Sequence, residues 1–165
     1  MKIRSVAIIG SFRQHNSEIQ KVSKTLRTAG FEVTSPQGSE VIEDGISFVR
    51  FTSDRSEWTD SEIQSLALHR IFRADIVYVV APNGYIGRTT CYEVGRIVQS
   101  GKPIYFSDFP KDLPLLVHDS FIMSIDDLIE NLTASAWQPK WLFHDNDEIS
   151  GILEQGLLDG KLRHD

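Results

Sequence analysis

The sequence predicts a doubly wound α/β domain, a parallel sheet with helices on both faces. Three observations carry that expectation. Near-continuous apolar runs at 4–9 and 75–80 suit strands that are covered on both sides. Segments of helical spacing alternate with the strand-like runs, as in successive βαβ units. Gly30, Pro36, Gly87 and Gly101 punctuate the boundaries between them.

Composition narrows the class. A chain of 165 residues, 41% of them hydrophobic, has the size and apolar content of one ordinary domain with a buried core. Cys91 is the single cysteine, which excludes a disulfide framework and fits a reducing compartment. With 23 Asp and Glu against 17 Lys and Arg, the net charge of −6 argues against binding a nucleic-acid polymer. Met1-Lys2-Ile3-Arg4 leads into an apolar run too short for a signal segment or a membrane span. The expectation is a cytoplasmic protein with no membrane partner.

The first strand is Arg4 to Gly10, broken by Gly10-Ser11-Phe12-Arg13. Asn16 or Ser17 can cap the next helix, whose stripe is Ile19, Val22 and Leu26 and whose stop is Gly30. Phe31-Glu32-Val33-Thr34 is a second strand, ending at Pro36, and a right-handed crossover joins the two. Residues 37–58 are hard to read. Ile46 to Phe51 alternates like a half-buried strand, or the stretch is a long functional loop. Helical spacing returns from Thr59 to Arg73, with Ile63, Leu66 and Ile71 apolar. Asp75 to Val80 is the strongest strand, followed by a loop through Gly87 and a helix from about Thr90 to Gln99.

Pro103 to Phe106 is the next strand, Phe121-Ile122-Met123 a possible fifth, and Ile125 to Leu132 a helix. The sum is a flavodoxin-like, five-stranded parallel sheet of order 2-1-3-4-5, occupying residues 1–136. Residues 137–165 form an aromatic segment (Trp137, Trp141, Phe143) and a helix from Asp147 to Leu158, packed on the domain or on a neighbouring subunit.

Open α/β sheets bind ligands beyond the carboxyl ends of their strands, where the strand order reverses. There the loop Gly10-Ser11-Phe12-Arg13 should meet the loop Asn83-Gly84-Tyr85-Ile86-Gly87-Arg88-Thr89-Thr90. Both carry glycine and both feed helix N-termini, which attract anions. Arg13 and Arg88 add charge suited to phosphate or carboxylate. No P-loop, GxGxxG, GxSxG, CxxC or HExxH pattern is present, and the five histidines are too scattered for a metal set.

Glu93 stands at the mouth of this expected pocket and has two readings. It can face a ligand as nucleophile or base. Alternatively, Thr90-Cys91-Tyr92-Glu93 is a capping box whose Glu serves only its own helix start. Thr59-Asp60-Ser61-Glu62 and Ser17-Glu18-Ile19-Gln20 have the same form.

The ordered set Asp75 to Val80, Gly84-Tyr85-Ile86-Gly87, Tyr92-Glu93-Val94-Gly95-Arg96 and Gly101-Lys102-Pro103-Ile104 resembles the nucleoside 2-deoxyribosyltransferase superfamily. The Gly-Ser-x-Arg turn at Gly10 to Arg13 is similar to that of its deoxynucleoside 5′-monophosphate N-glycosidases. The resemblance covers most of residues 4–106. It implies an enzyme that breaks or transfers the N-glycosidic bond of a deoxynucleoside or its monophosphate, with no cofactor and as a homo-oligomer. Glu93 would be the nucleophile, kept ionised by the nearby helix N-terminus. Gly10, Ser11 and Arg13 would hold the 5′ end, and Tyr85 or Phe12 would wall the base.

An acid that the family often carries before the third strand falls here near Ala67. His69 could supply that proton, with Asp54 or Asp60 as substitutes; a half-buried helix position and a solvated turn are the plainer accounts. Arg50 and Asp54 line the pocket or form an ion pair. The rival reading is a nucleotide-binding module of the same fold without turnover. A third is a structural partner protein that docks through its aromatic tail.

Overall fold

The computed structural model describes residues 3–38, 40–41, 49–144 and 148–164. Its sheet has four parallel strands: β1 (Ser5–Gly10), β2 (Glu32–Ser35), β3 (Ile76–Val80) and β4 (Ile104–Phe106), in the order β2-β1-β3-β4. Every residue of β1, β3 and β4 is buried, as continuous apolar runs require. In the β1–β3 pairing, Val6 lies opposite Ile76 and Gly10 opposite Val80. The two strands therefore end level, and the loops that follow emerge side by side. A Cβ on Gly10 would lie 2.6 Å from the Val80 carbonyl oxygen, so this close ending of two strands requires glycine.

Right-handed crossovers put α1 (Phe12–Thr28) on one face and α2 (Asp60–Arg73) with α3 (Arg88–Gln99) on the other. The helix α4 (Ile125–Thr133) packs beside α1. At the far end of β3, the Asp75 carboxylate accepts backbone hydrogen bonds from Arg4 (2.8 Å) and Ser5 (3.0 Å), pinning the start of β1. Burial raises the Asp75 pKa, but those bonds and the Lys102 charge outweigh it and hold it below the usual range.

Several expectations are corrected. The fifth strand is a single parallel bridge, Phe106 to Ile122, because Asp119–Phe121 is a 3-10 turn and Ser124 already caps α4. Neither Asn16 nor Ser17 starts α1. Its N-cap is Ser11, and Asn16 accepts a hydrogen bond from Gln20 within the helix. The preceding residue, His15, leaves helical geometry (φ −127°, ψ 27°), so the cap-like residues follow a kink.

Thr90 does not cap α3 either. Gly87, at φ +84°, is its N-cap, and Thr90 is buried inside the first turn. The Thr59–Glu62 capping box does form: Thr59 N donates to Glu62 at 2.7 Å and Glu62 N to Thr59 Oγ1 at 3.3 Å. Of the alternating segment, Ile46 to Phe48 lies outside the described residues. Phe51 makes one antiparallel bridge to Val41.

The aromatic tail packs on this same chain. The Trp141 indole donates to the Val98 carbonyl at 2.8 Å, Lys140 N donates to the Tyr105 hydroxyl at 3.0 Å, and the Tyr105 and Trp137 rings lie 5.4 Å apart. Helix α5 (Ile149–Asp159) follows, with Gln99 donating to the Leu157 carbonyl at 3.3 Å. Among the described residues no helix is long and apolar enough to cross a membrane.

Candidate functional site

A cavity of about 270 Å³ opens where the β1 and β3 loops meet. From the first loop, Gly10, Ser11, Phe12 and Arg13 all line it. From the second, Tyr85, Gly87, Arg88 and Thr89 do. The helices α1 and α3 both begin here, and neither N-cap residue makes a side-chain capping bond. A helix start of this kind presents backbone N–H groups and the positive end of the helix dipole, which together favour an anion.

Asn83 and Gly84 do not line the cavity. Gly84 is buried against the next loop, where an added Cβ would lie 2.4 Å from the Phe109 carbonyl oxygen. Asn83 is exposed, in the left-handed region at φ +56°. These two residues shape the loop and pack it. Lys111 N donates to the Gly84 carbonyl at 2.8 Å, and the Asp112 carboxylate accepts from Ile86 N (3.2 Å) and Gly87 N (2.8 Å). Asp112 thus clamps the loop just ahead of α3. The Asp112 carbonyl also accepts from the Cys91 thiol at 3.4 Å. Burial, then the Asp112 charge, pushes that thiol's pKa up, away from a reactive thiolate.

Glu93 lines the cavity one turn further into α3 than expected, at 7% exposure. Its carboxyl group does not turn back to its own helix start. Instead Oε1 accepts a 2.9 Å hydrogen bond from Gln64 Nε2 on α2. The helix start, expected to favour ionised Glu93, is opposed by burial. Burial raises its pKa to about 7 against the opposing Gln64 bond, so both protonation states are populated near neutrality.

Of the other candidate acids, Asp54 lines the cavity while its carboxylate accepts from Phe51 N at 2.7 Å, closing a tight turn. His69 is exposed on α2 and is not among the lining residues; Ala67 is. The α2 positions around them explain this, because Ile63, Gln64, Ala67 and Arg70 share the cavity face and His69 points off it. Arg50 pairs with Asp60 (Nε to Oδ1, 2.8 Å), not with Asp54, and neither Arg50 nor Asp60 lines the cavity.

Sequence reasoning missed Gln64 and Arg70, although their spacing with Ile63 on α2 was a usable signal. Of the apolar wall it named Phe12 but not Phe51, Pro36 or Val49. Phe12 and Phe51 meet edge to face at 5.0 Å, beside Pro36 and Val49. Gly38 makes room for Phe51, since a Cβ there would sit 2.5 Å from the Phe51 Cβ. The finished cavity joins an apolar wall, three arginines (Arg13, Arg70, Arg88), and two carboxyl groups, Glu93 and Asp54.

Among the described residues no cluster of three or more His, Cys, Asp or Glu side chains is arranged to hold a metal ion. His144 is exposed, and Asp145 and Asp147 lie outside the described residues. No family model matches the chain, and no curated protein and no solved structure matches it.

Proposed function

We propose that this protein cleaves or transfers at the N-glycosidic bond of a deoxynucleoside or its 5′-monophosphate, with Glu93 as nucleophile. The observation that carries the reading is a buried carboxyl group, hydrogen-bonded to Gln64, lining a cavity with three arginines in a chain of net charge −6. Such a cavity suits a ligand with an anionic end and an apolar, flat end. The phosphate would meet Arg13, Arg88 and the open start of α1. The base would lie against Phe12 and Phe51.

In the first step a Glu93 carboxylate oxygen bonds to C1′ as the C1′–N bond breaks. The electron pair leaves with the base, which takes up a proton from water. The developing positive charge on the sugar is offset by the adjacent carboxylate. Water or a second base then attacks C1′ from the opposite face, and the carboxylate is released. Only ionised Glu93 can begin this sequence, so turnover should rise as pH rises through about 7.

The test is incubation with a panel of deoxynucleosides and their monophosphates, with free base measured by chromatography. Release by the wild type and none by Glu93→Ala supports the reading. Equal behaviour of the two on every substrate overturns it.

One observation favours a second reading, a nucleotide-binding module without turnover. The cavity face of α2 presents Ala67 and Gln64, with His69 directed elsewhere, so that helix contributes no proton donor of carboxylic or imidazole type. Calorimetry separates the two: a binding module takes up nucleotide and leaves it intact over hours.

A further inference from the structure

We propose that Gln64 is the positioning residue of Glu93, an amide that keeps this carboxyl group anchored in both its neutral and its ionised form. The inference deepens the glycosidic reading and rests on it for its catalytic meaning, but its physical content concerns only the pair.

The two residues come from neighbouring helices on one face of the sheet, and Gln64 Nε2 lies 2.9 Å from Glu93 Oε1. Helix α2 is fixed at its start by the Thr59–Glu62 capping box, so the amide is presented from a firm support. An amide carries both a donor and an acceptor. The ionised carboxylate accepts from its NH₂ group. After a half-turn of the amide, the neutral acid donates its O–H to the amide oxygen. A carboxylate at position 64 would repel ionised Glu93, and a lysine or arginine would lock it in that state. Glutamine does neither.

The remaining groups that face the cavity are Arg13 from α1, Asp54 from the turn after Phe51, Arg70 from α2, and Tyr85 and Arg88 at the entry to α3. Against that setting, burial raises the Glu93 titration and the Gln64 bond lowers it. A carboxyl group that must be a nucleophile in one step and released in the next gains from an anchor that bonds both of its forms, and bonds the charged one more strongly.

The experiment follows Glu93 directly. Protein labelled with ¹³C at glutamate carboxyl carbons is titrated by NMR, with E93Q identifying the Glu93 signal. In Q64L the Glu93 midpoint should rise by about one pH unit, because the bond to the charged form is lost. In Q64E it should rise further, through like charge. Q64M serves as the second apolar variant, with folding of each checked by circular dichroism. An unchanged midpoint in the folded apolar variants overturns the assignment.

Where turnover is measurable, the acid limb of kcat should move in the same direction in Q64L with KM little altered; a packing role alone would lower Tm and leave the limb in place. A moved midpoint in a protein that releases base from no substrate supports the Gln64 assignment and overturns the glycosidic reading.

Discussion

The four helices flanking the sheet begin in two different ways. α2 and α4 start with complete capping boxes, Thr59 with Glu62 and Ser124 with Asp127, and both carry acidic residues in the first turn. α1 and α3 start at Ser11 and Gly87 with no side-chain cap and no acidic residue in the first turn. Only the second pair opens on the cavity. A capping box supplies its own acceptors and its own negative charge, so the helix end is complete without a ligand. An end without such a cap brings no negative charge of its own, so its partial positive charge is left for something else. Side by side, these starts separate helix ends that serve the fold from ends suited to an anion.

The largest expected effect breaks the pair at its chemical centre. Glu93→Ala should lower base release by about 10³-fold or more, read by single-turnover kinetics. Glu93→Gln should share that loss yet be the more stable protein at high pH. Glu93 titrates at about 7 in the fold against 4.5 in an unperturbed chain. Its protonated form therefore favours folding fully below about pH 4.5, and that contribution fades as pH rises through 7. Urea melts should show E93Q gaining on the wild type between those limits, by about 3 kcal/mol above pH 7.

The arginines come next. Arg13→Ala and Arg88→Ala should each raise KM for a monophosphate about 10- to 100-fold and leave KM for the matching nucleoside nearly unchanged. The smallest effects sharpen the contrast between helix starts. Thr59→Ala should cost about 1 kcal/mol of stability with no change in KM. Ser11→Asp should do the reverse: its carboxylate completes the α1 cap, adding about 0.5–1 kcal/mol while weakening monophosphate binding, as seen by calorimetry.

The sequence made β1 and β3 plain because strands buried on both faces are written as unbroken apolar runs. The place of the cavity followed from those two strands and the reversal of order between them. What stayed hidden was tertiary. Thr90-x-x-Glu93 and Thr59-x-x-Glu62 are alike as strings, but only the second has its threonine at a helix boundary, and Gly87 moves the first one turn inward. Asn83 and Gly84 read as ligand-loop residues because a turn and a binding loop use the same residue types; in the fold Gly84 packs against Phe109 and Asn83 is exposed, both outside the cavity lining. Asp112 reaches the Gly87 N–H across a separation of 25 residues, and Gln64 reaches Glu93 across 29, distances over which local spacing carries no signal.

Helix α3 resembles a beam pinned at both ends. Asp112 grips the chain just before it through Ile86 and Gly87, and the Trp141 indole holds Val98 near its close. Sliding of the helix along its axis, which would carry Glu93 away from Gln64, is opposed by two fasteners, Asp112 and Trp141, that lie outside both cavity loops. Loosening either one would disturb the Gln64–Glu93 pair from a distance, leaving every residue of the cavity wall unchanged in identity.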